Sequence, residues 1–463
     1  MNTLTCCTGV GTVTGANFLL ETDAGSKILI DCGMVQGERT ASELNYESFS
    51  YDISKISALI ITHAHLDHVG RIAKLVKEGY SGPIYSTPQT KELAEIVMKD
   101  AVNIIATEAQ QEGIDPMYGL PDVENVLPLW KTIEYHTAFN VTDDVSVFLK
   151  DAGHILGSAM VEVSITTNQQ MNANTANKTK ILFTGDLGNS PAPLLRDTEA
   201  VGDVDYMIME SVYGDRNHED REERTNQFMK VIKDTIARNG TLVIPAFSID
   251  RTQVLLYELN NMVEQKKIPS VPVFVDSPMA INATQIYRES TFLFNDAVQQ
   301  QIKKGDDIFS FKNLDYTMSR NEAGVIDRVK GAKIILAGSG MSVGGRIVSH
   351  EAQYLPDANS TILLVGYQSV SSLGRKLADG AKKVTIHGQE IKVKAKIETL
   401  YGYSAHKDGD HLVEFVSTGT DRLKQVFVVM GEPGASMHLA QRLNNELGVK
   451  AIVPERLKGY ELE

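Results

Sequence analysis

Up to Ile165 the apolar positions fall into short runs broken by turns, with helical spacing between some of them. NFLLET and KILIDCG read as strands joined by a polar turn, and SALIITH as a strand running into a histidine-rich loop. VGRIAKLVKEG then has helical spacing, with Val69, Ile72, Ala73 and Val76 on one face. TKELAEIVMKDAVNIIATEAQQEG predicts a long amphipathic surface helix, and VSVFLKDAGH and MVEVSITT predict strands. The Asn-rich stretch TNQQMNANTANKTK reads as an exposed hairpin loop, and KILFTGDLG as a strand ending in a Gly/Asp turn.

From residue 206 the rhythm changes. DYMIMES, TLVIPAF, PVFVDS, KIILAGS and TILLVGY are continuous apolar strands, and helices such as RTNQFMKVIKDTIARNG and RTQVLLYELNNMVEQKK separate them. That alternation predicts βαβ units and a parallel sheet, whose carboxyl-end loops are where ligands bind. After residue 380 a β-rich pattern returns, with KVTIHGQEIKVKAKIETL hairpin-like. The simplest organisation is one domain, 1–205 and 381–463, interrupted by an inserted α/β domain at 206–380.

The 463 residues, 42% of them hydrophobic, suffice for two or three cores. Three cysteines (Cys6, Cys7 and Cys32) provide no disulfide framework and no zinc-ligand spacing, which favours a reducing compartment. No signal peptide is visible, and no apolar run approaches the roughly 18–20 residues of a membrane span. These features predict a cytoplasmic protein with no membrane partner. A net charge of −14 argues against broad coating of nucleic acid, but not against a narrow basic site or metal ions that neutralise phosphate locally.

The strongest chemical signal is ITHAHLDHVG, which places His63, His65, Asp67 and His68 at a strand end. Two imidazoles two residues apart on extended backbone point to one side. Asp67 and His68, where the chain turns toward a helix, can point elsewhere, so one loop can feed two metal ions. Imidazole and carboxylate donors suit zinc, and manganese less strongly. Three of eleven histidines within six residues, beside an aspartate, make a chance cluster an unattractive explanation. DAGHILGSAM places His154 between glycines, and LFTGDLG places Asp186 at another strand end, where a carboxylate could bridge two cations. Taken alone, His154 and Asp186 read equally well as plain loop residues.

THAHLDH, DAGHILGSA and TGDLG, in this order, resemble the metallo-β-lactamase fold. ESVYGDRNH, IPAFSIDRTQ, VDSPMA, GSGMSVGGR, VGYQ…LGR and GYSAHKD are similar to the β-CASP nucleases, a group that includes the pre-mRNA 3′-end cleavage endonuclease and ribonuclease J. The resemblance spans nearly the whole chain. It implies an αββα metallo-β-lactamase sandwich with an inserted β-CASP domain, and RNA phosphodiester cleavage in the cleft between them. It also implies zinc held by His63, His65 and His154, a second metal held by Asp67 and His68, and Asp186 bridging both. Glu210 of MESVYG and His406 of YSAHKD match the family's acidic residue and opposing histidine. Asp31 of LIDCG matches a buried acid behind the ligands. On this reading Asp67 orients the attacking water, and His406, partnered by Glu210, protonates the leaving oxygen. A plainer reading of His406 is a capping or core histidine, since KDGDHLVEF follows as a helix. Arg251, Arg346 and Arg375, with Ser404 beside His406, are candidates for substrate phosphate, against the alternative of ordinary helix-start residues. His136, His218, His350, His387, His411 and His438 read as structural.

One position departs from the family pattern. Members usually carry histidine before the Gly-Glu of V-H-G-E, and this chain has Met430 in VVMGE. A thioether is a poor ligand for zinc. The expectation is one zinc held firmly at His63, His65 and His154, and a second site weakly held or empty. The leading function is a zinc-dependent ribonuclease acting on single-stranded RNA, an endonuclease with exonuclease activity as an additional option. The competing readings are an RNA-binding β-CASP protein with weak or lost turnover and, less favoured, a hydrolase of small esters, lactones or amides. A homodimer is the candidate assembly.

Overall fold

The structure, a computed structural model, describes residues 1–37, 41–166, 178–219, 221–366, 368, 369, 372–419 and 422–463. The chain divides into two compact units, Met1–Asn217 with His406–Glu463, and His218–Ala405.

The first unit is built on two seven-stranded sheets. One runs Gly459–Leu462, Asn2–Thr8, Asn17–Glu21, Lys27–Ile30, Ala58–Ile60, Ile84–Ser86, Trp130–Thr132. The other runs Ala451–Ile452, Gln425–Val428, Tyr206–Met209, Thr179–Phe183, Ala159–Ile165, Val145–Asp151, Phe139–Asn140. Their inner faces share one core, in which Leu20, Ile28 and Ile30 of the first sheet meet Val161, Val163 and Phe183 of the second. The strands of the second sheet alternate faces as extended chain must. Ile181, Phe183, Tyr206, Ile208 and Phe427 point into the shared core. Leu182, Met207, Met209, Val426 and Val428 point the other way, onto the helices Gly409–Ser417 and Pro433–Leu447. The first sheet is buried on its second face too, at Leu19, Leu29 and Leu59, and the helix Pro88–Glu112 packs against its edge strand Trp130–Thr132. Each such side chain contributes about 1.5–3 kcal/mol by leaving water. The result is the αββα layering that the motifs implied.

Burial on both faces explains one difference from the sequence-based boundaries. Tyr206–Met209 has a continuous apolar profile, the signature of a parallel strand covered on both sides. It lies in the second sheet of the first unit, parallel to Thr179–Phe183 and Gln425–Val428, and not in the inserted sheet. At the other end, Lys396–Leu400 belongs to the inserted sheet, parallel to Thr361–Val365. The compact unit therefore runs later at both ends than the 206–380 read from the pattern.

The second unit carries a six-stranded, all-parallel sheet in the order Leu314–Tyr316, Val273–Val275, Lys333–Ala337, Thr241–Pro245, Thr361–Val365, Lys396–Leu400. Every residue of the three central strands is buried, as helix-covered parallel strands require. Lys383–Ile386 and Gln389–Lys392 form the expected hairpin. Helix starts are capped by side chains: Ser277 accepts from the Ala280 amide, Thr87 from Thr90, and Asp408 from His411.

The predicted helix from Val69 is in fact two, Leu66–Val69 and Ile72–Lys77. They break because the Arg71 amide donates to the Cys32 carbonyl (2.9 Å) while the Cys32 amide takes the His68 carbonyl (2.9 Å). The Asn-rich stretch expected to be a hairpin loop lies, from 167 to 177, outside the described residues; the flanking strands Ala159–Ile165 and Thr179–Phe183 pair antiparallel. Among the described residues no helix is long and apolar enough to cross a membrane.

Candidate metal centre

The parallel strands of both sheets in the first unit end where the chemistry-bearing residues begin. Asp31 follows Lys27–Ile30, His63 to His68 follow Ala58–Ile60, Asp186 follows Thr179–Phe183, and Glu210 follows Tyr206–Met209. Carboxyl ends of parallel strands leave backbone and side chains free for ligands. The histidine loop is pressed close to the first sheet: a Cβ on Gly33 would lie 1.5 Å from the Asp67 carbonyl oxygen, so only glycine fits there.

His63, His65, His154 and Asp186 converge. His65 Nδ1 lies 3.1 Å from His63 Nε2 and 3.2 Å from His154 Nε2. Asp186 Oδ2 stands 3.4 Å from His63 Nε2 and 3.6 Å from His154 Nε2. The other oxygen of the same carboxylate faces a second group: Oδ1 is 3.4 Å from His68 Nε2, which is 3.8 Å from Asp67 Oδ2. Asp186 is thus divided between two donor sets, one of three imidazoles and one of Asp67 with His68.

Two observations test whether these residues suit a cation. His68 Nε2 and Asp186 Oδ1 are both fully buried without a hydrogen-bond partner, although they face each other. Leaving buried polar atoms unpaired is costly unless something else occupies the space. The charge balance agrees. Burial opposes a charged His68, yet Asp186, Asp31 and Asp67 around it overcome that and hold its imidazole well above the usual range. Burial pushes Asp67 up, whereas His65 and His154 are driven well below the usual histidine range, first by burial. His65 and His154, kept neutral beside crowded carboxylates, are donors of the kind a divalent ion takes, and a set of three nitrogens with one oxygen would suit zinc.

Behind the donors, Asp31 accepts from the Thr62 amide at 2.8 Å, from Thr62 Oγ1 at 2.8 Å and from His68 Nδ1 at 2.7 Å. Because this carboxylate engages Nδ1 of His68, Nε2 is the nitrogen that faces Asp186. Thr62 was not singled out in the sequence. It stands inside the quoted motif, but its contact to His63 Nδ1 (3.1 Å) is visible only in three dimensions. Ser158, also unremarked, accepts from the amides of His154 (3.0 Å) and Ile155 (3.2 Å) and holds that loop.

Glu210 and His406 meet as a pair. His406 Nδ1 lies 3.2 Å from both Glu210 oxygens and 3.9 Å from Asp186 Oδ2. Glu210 is 1% exposed and accepts from the Leu187 amide at 2.6 Å. His406 is anchored by a bridge to Gly188, and its ring centre lies 4.7 Å from that of His154, tilted by 50°, and 6.2 Å from that of Tyr213, another residue the sequence does not mark. Burial works against the imidazolium, but Glu210 outweighs it and lifts His406 to about 9. The helix that follows is capped by Asp408, so His406 is not its cap.

The other candidates are placed differently. Ser404, Arg251, Arg346 and Arg375 belong to the second unit. Arg251 is 7% exposed and sits 6.0 Å from the Tyr403 ring centre. Arg346 is engaged by Asp276 Oδ1 (2.5 Å) and by the Thr317 and Met318 carbonyls. Arg375 pairs with Asp379 one turn along its helix, and Ser404 is buried. Among the histidines read as structural, His136, His350 and His411 are paired with Glu199, Asp276 and Asp408. Met430 is 2% exposed within the core shared by the two sheets, at φ 47, and its amide donates to the Gly9 carbonyl (2.8 Å). Its sulfur packs so closely on Gly9 that a Cβ there would lie 2.8 Å from it.

Comparison with known proteins agrees with this layout. Residues 19–186 match a metallo-beta-lactamase superfamily domain, 252–377 a Beta-Casp domain, and 390–454 a Zn-dependent metallo-hydrolase RNA specificity domain. The chain is 33% identical over 431 residues to ribonuclease TTHA0252 of Thermus thermophilus, covering 93% of each chain. It is 32% identical to transcription termination factor FttA of Pyrococcus horikoshii, over 88% of this chain and 62% of that one. The Methanosarcina mazei FttA is 30% identical, over 94% and 67%. A crystal structure of a protein of unknown function from Enterococcus faecalis shares the fold, with a TM-score of 0.56 at 11% identity over the full length of both chains. With its metallo-β-lactamase and β-CASP domains and full-length similarity to a named ribonuclease, the chain belongs to the β-CASP ribonuclease family.

Proposed function

We propose that this protein is a zinc-dependent hydrolase that cleaves single-stranded RNA internally. The observation that carries the reading is the divided carboxylate of Asp186, whose Oδ2 faces His63 and His154 while Oδ1 faces His68. A pair of ions held this way would use His63, His65, His154 and Asp186 on one side, and Asp67, His68 and Asp186 on the other. Bound there, the metal supplies Lewis-acid stabilisation of phosphoryl charge and a nucleophile usable at neutral pH.

The remaining work falls to side chains. Asp67 accepts a hydrogen bond from the attacking water and orients it toward phosphorus. Asp31 holds His68, and Thr62 links Asp31 to His63. Glu210 engages Nδ1 of His406, which leaves Nε2 to carry the proton that the leaving oxygen requires. The same carboxylate keeps the imidazole protonated at neutral pH.

Incubation with labelled linear and circular single-stranded RNA, with EDTA and with zinc or manganese, tests the reading. The expected result is metal-dependent cutting of both substrates, since a circle offers no end to an exonuclease. Absence of cleavage with every divalent ion would overturn the hydrolase, and cutting of the linear RNA alone would overturn the internal mode.

A further inference from the structure

The carboxyl edge of the second unit's sheet holds a feature that the metal chemistry leaves unexplained. Phe247, in the loop after Thr241–Pro245, is 37% exposed. It is not a loosely hanging side chain. A Cβ on Gly340 would lie 2.5, 2.8 and 2.9 Å from the Cδ2, Cε2 and Cγ atoms of this ring, so one side of the ring rests on the bare backbone of Gly340. The loop beneath is fixed as well: the Ala246 amide donates to the Ala337 carbonyl (3.0 Å), and Thr252 Oγ1 donates to the Phe247 carbonyl (2.9 Å). The ring is thus held in place on one side while part of its surface stays open to a ligand.

The topology says what kind of place this is. Lys333–Ala337 and Thr241–Pro245 are adjacent and parallel, yet the chain leaves them in opposite directions, toward Thr361–Val365 and toward Val273–Val275. With right-handed crossovers, the two loops depart toward opposite faces of the sheet. That is the arrangement at which open parallel sheets bind ligands. Two neighbouring loops add exposed apolar side chains, Met318 at 42% and Val343 at 64%. Arg346 ties the Met318 loop to the helix that begins after the Val343 loop. Residues 246–249 and 338–345 contain no carboxylate and Asp250 beside them is buried, so these two loops themselves set no negative charge against a nucleic-acid strand; the nearby Glu322 is turned onto the Met318 amide (2.7 Å).

We propose that Phe247, seated on Gly340, is a stacking platform for an unpaired base of the RNA substrate. This rests on the RNA-cleaving reading and adds to it a contact remote in sequence from every metal ligand. Stacking tolerates all bases because each has a π face, so the platform would hold single strands without reading their sequence. Paired bases cannot reach it, which makes it a selector for unstacked RNA.

The test uses binding in EDTA, where no cleavage intervenes. Phe247→Trp introduces an indole against a single other tryptophan, Trp130, which is 4% exposed in the first unit. Oligoadenylate should quench the new indole, and an abasic oligomer of the same charge should not. Phe247→Ala should weaken oligoadenylate binding by roughly 5- to 100-fold in fluorescence anisotropy. Gly340→Ala, which pushes the ring off its seat, should weaken it in the same direction. The proposal is overturned if the parent binds oligoadenylate while both variants bind within about twofold of it and the indole is not quenched. In that case metal-dependent cleavage, measured separately, leaves the hydrolase reading intact. Cleavage without any binding in EDTA overturns the platform alone, and loss of both overturns the two together.

Discussion

Replacing Asp31 by asparagine changes one atom and separates the two halves of the metal centre. The Asp31 carboxylate is 1% exposed and receives three donors: the Thr62 amide (2.8 Å), Thr62 Oγ1 (2.8 Å) and His68 Nδ1 (2.7 Å). The Thr62 amide, on Oδ1, always donates, and His68 Nδ1, on Oδ2, must donate whenever Nε2 is the metal ligand. An asparagine presents one carbonyl oxygen and one NH2, so whichever way it turns, a buried donor faces a donor. One buried unmet hydrogen bond costs about 1–3 kcal/mol, or roughly 5- to 150-fold in an equilibrium. That range overlaps the ~10–100-fold that losing an outer partner of a ligand costs in metal affinity. The loss should fall on the site that contains His68, which Asp31 holds directly, whereas its hydrogen-bonded link to His63 runs through Thr62. Competition between the metal-free protein and a chromophoric chelator, titrated with zinc, resolves the two equivalents. The expected outcome is one equivalent close to parental affinity and the other weakened by about 10- to 100-fold, in a protein whose circular dichroism is unchanged. If both equivalents bind a folded Asp31→Asn variant as they bind the parent, the orienting role of Asp31 is refuted.

Met430→His should tighten the weaker zinc equivalent by at least about tenfold and raise cleavage, since histidine tolerates the left-handed backbone at φ 47 and adds a nitrogen donor. If neither changes, this side chain does not reach the metals. Glu210→Gln should move the alkaline limb of the cleavage pH profile downward: the carboxylate is what lifts His406 to about 9, so without it the imidazole loses its proton at lower pH. An unmoved limb would show that another group donates the proton. Glu351, buried with Oε2 unpartnered, has its carboxyl pushed by burial to about 7, from 4.5 in an open chain. The unfolded chain therefore ionises first as pH rises, so stability falls between pH 4.5 and about 7 and is flat above, by at most about 3 kcal/mol. Glu351→Gln should accordingly stabilise the second unit in urea at pH 8 and leave it little changed near pH 4.5; equal effects at both values would refute the assignment.

Much of the centre was legible because its donors are concentrated in short motifs at strand ends. THAHLDH alone carries four donor residues, and TGDLG marks Asp186 by its turn. What could not be read was the division of labour around them. Thr62 looks like any strand-end threonine until its hydroxyl is seen between Asp31 and two histidines. Tyr206–Met209 looked like a strand of the inserted sheet because burial on both faces erases the alternation that distinguishes sheets. A helix that periodicity makes continuous breaks at Gly70–Arg71, where the Arg71 amide and the His68 carbonyl turn to Cys32 far away in sequence. The arginines show the same limit: Arg251 and Arg346 stand at helix starts suited to phosphate, and only the structure reveals that the first is buried beside Tyr403 and the second is engaged by Asp276.

Anomalous scattering at the zinc edge, from crystals of the metal-loaded protein, tests the central claim most directly. A strong peak is expected among His63 Nε2, His65 Nδ1, His154 Nε2 and Asp186 Oδ2, and a weaker one between Asp186 Oδ1, His68 Nε2 and Asp67. A peak elsewhere, or none at this cluster in a preparation that cleaves RNA, would contradict it.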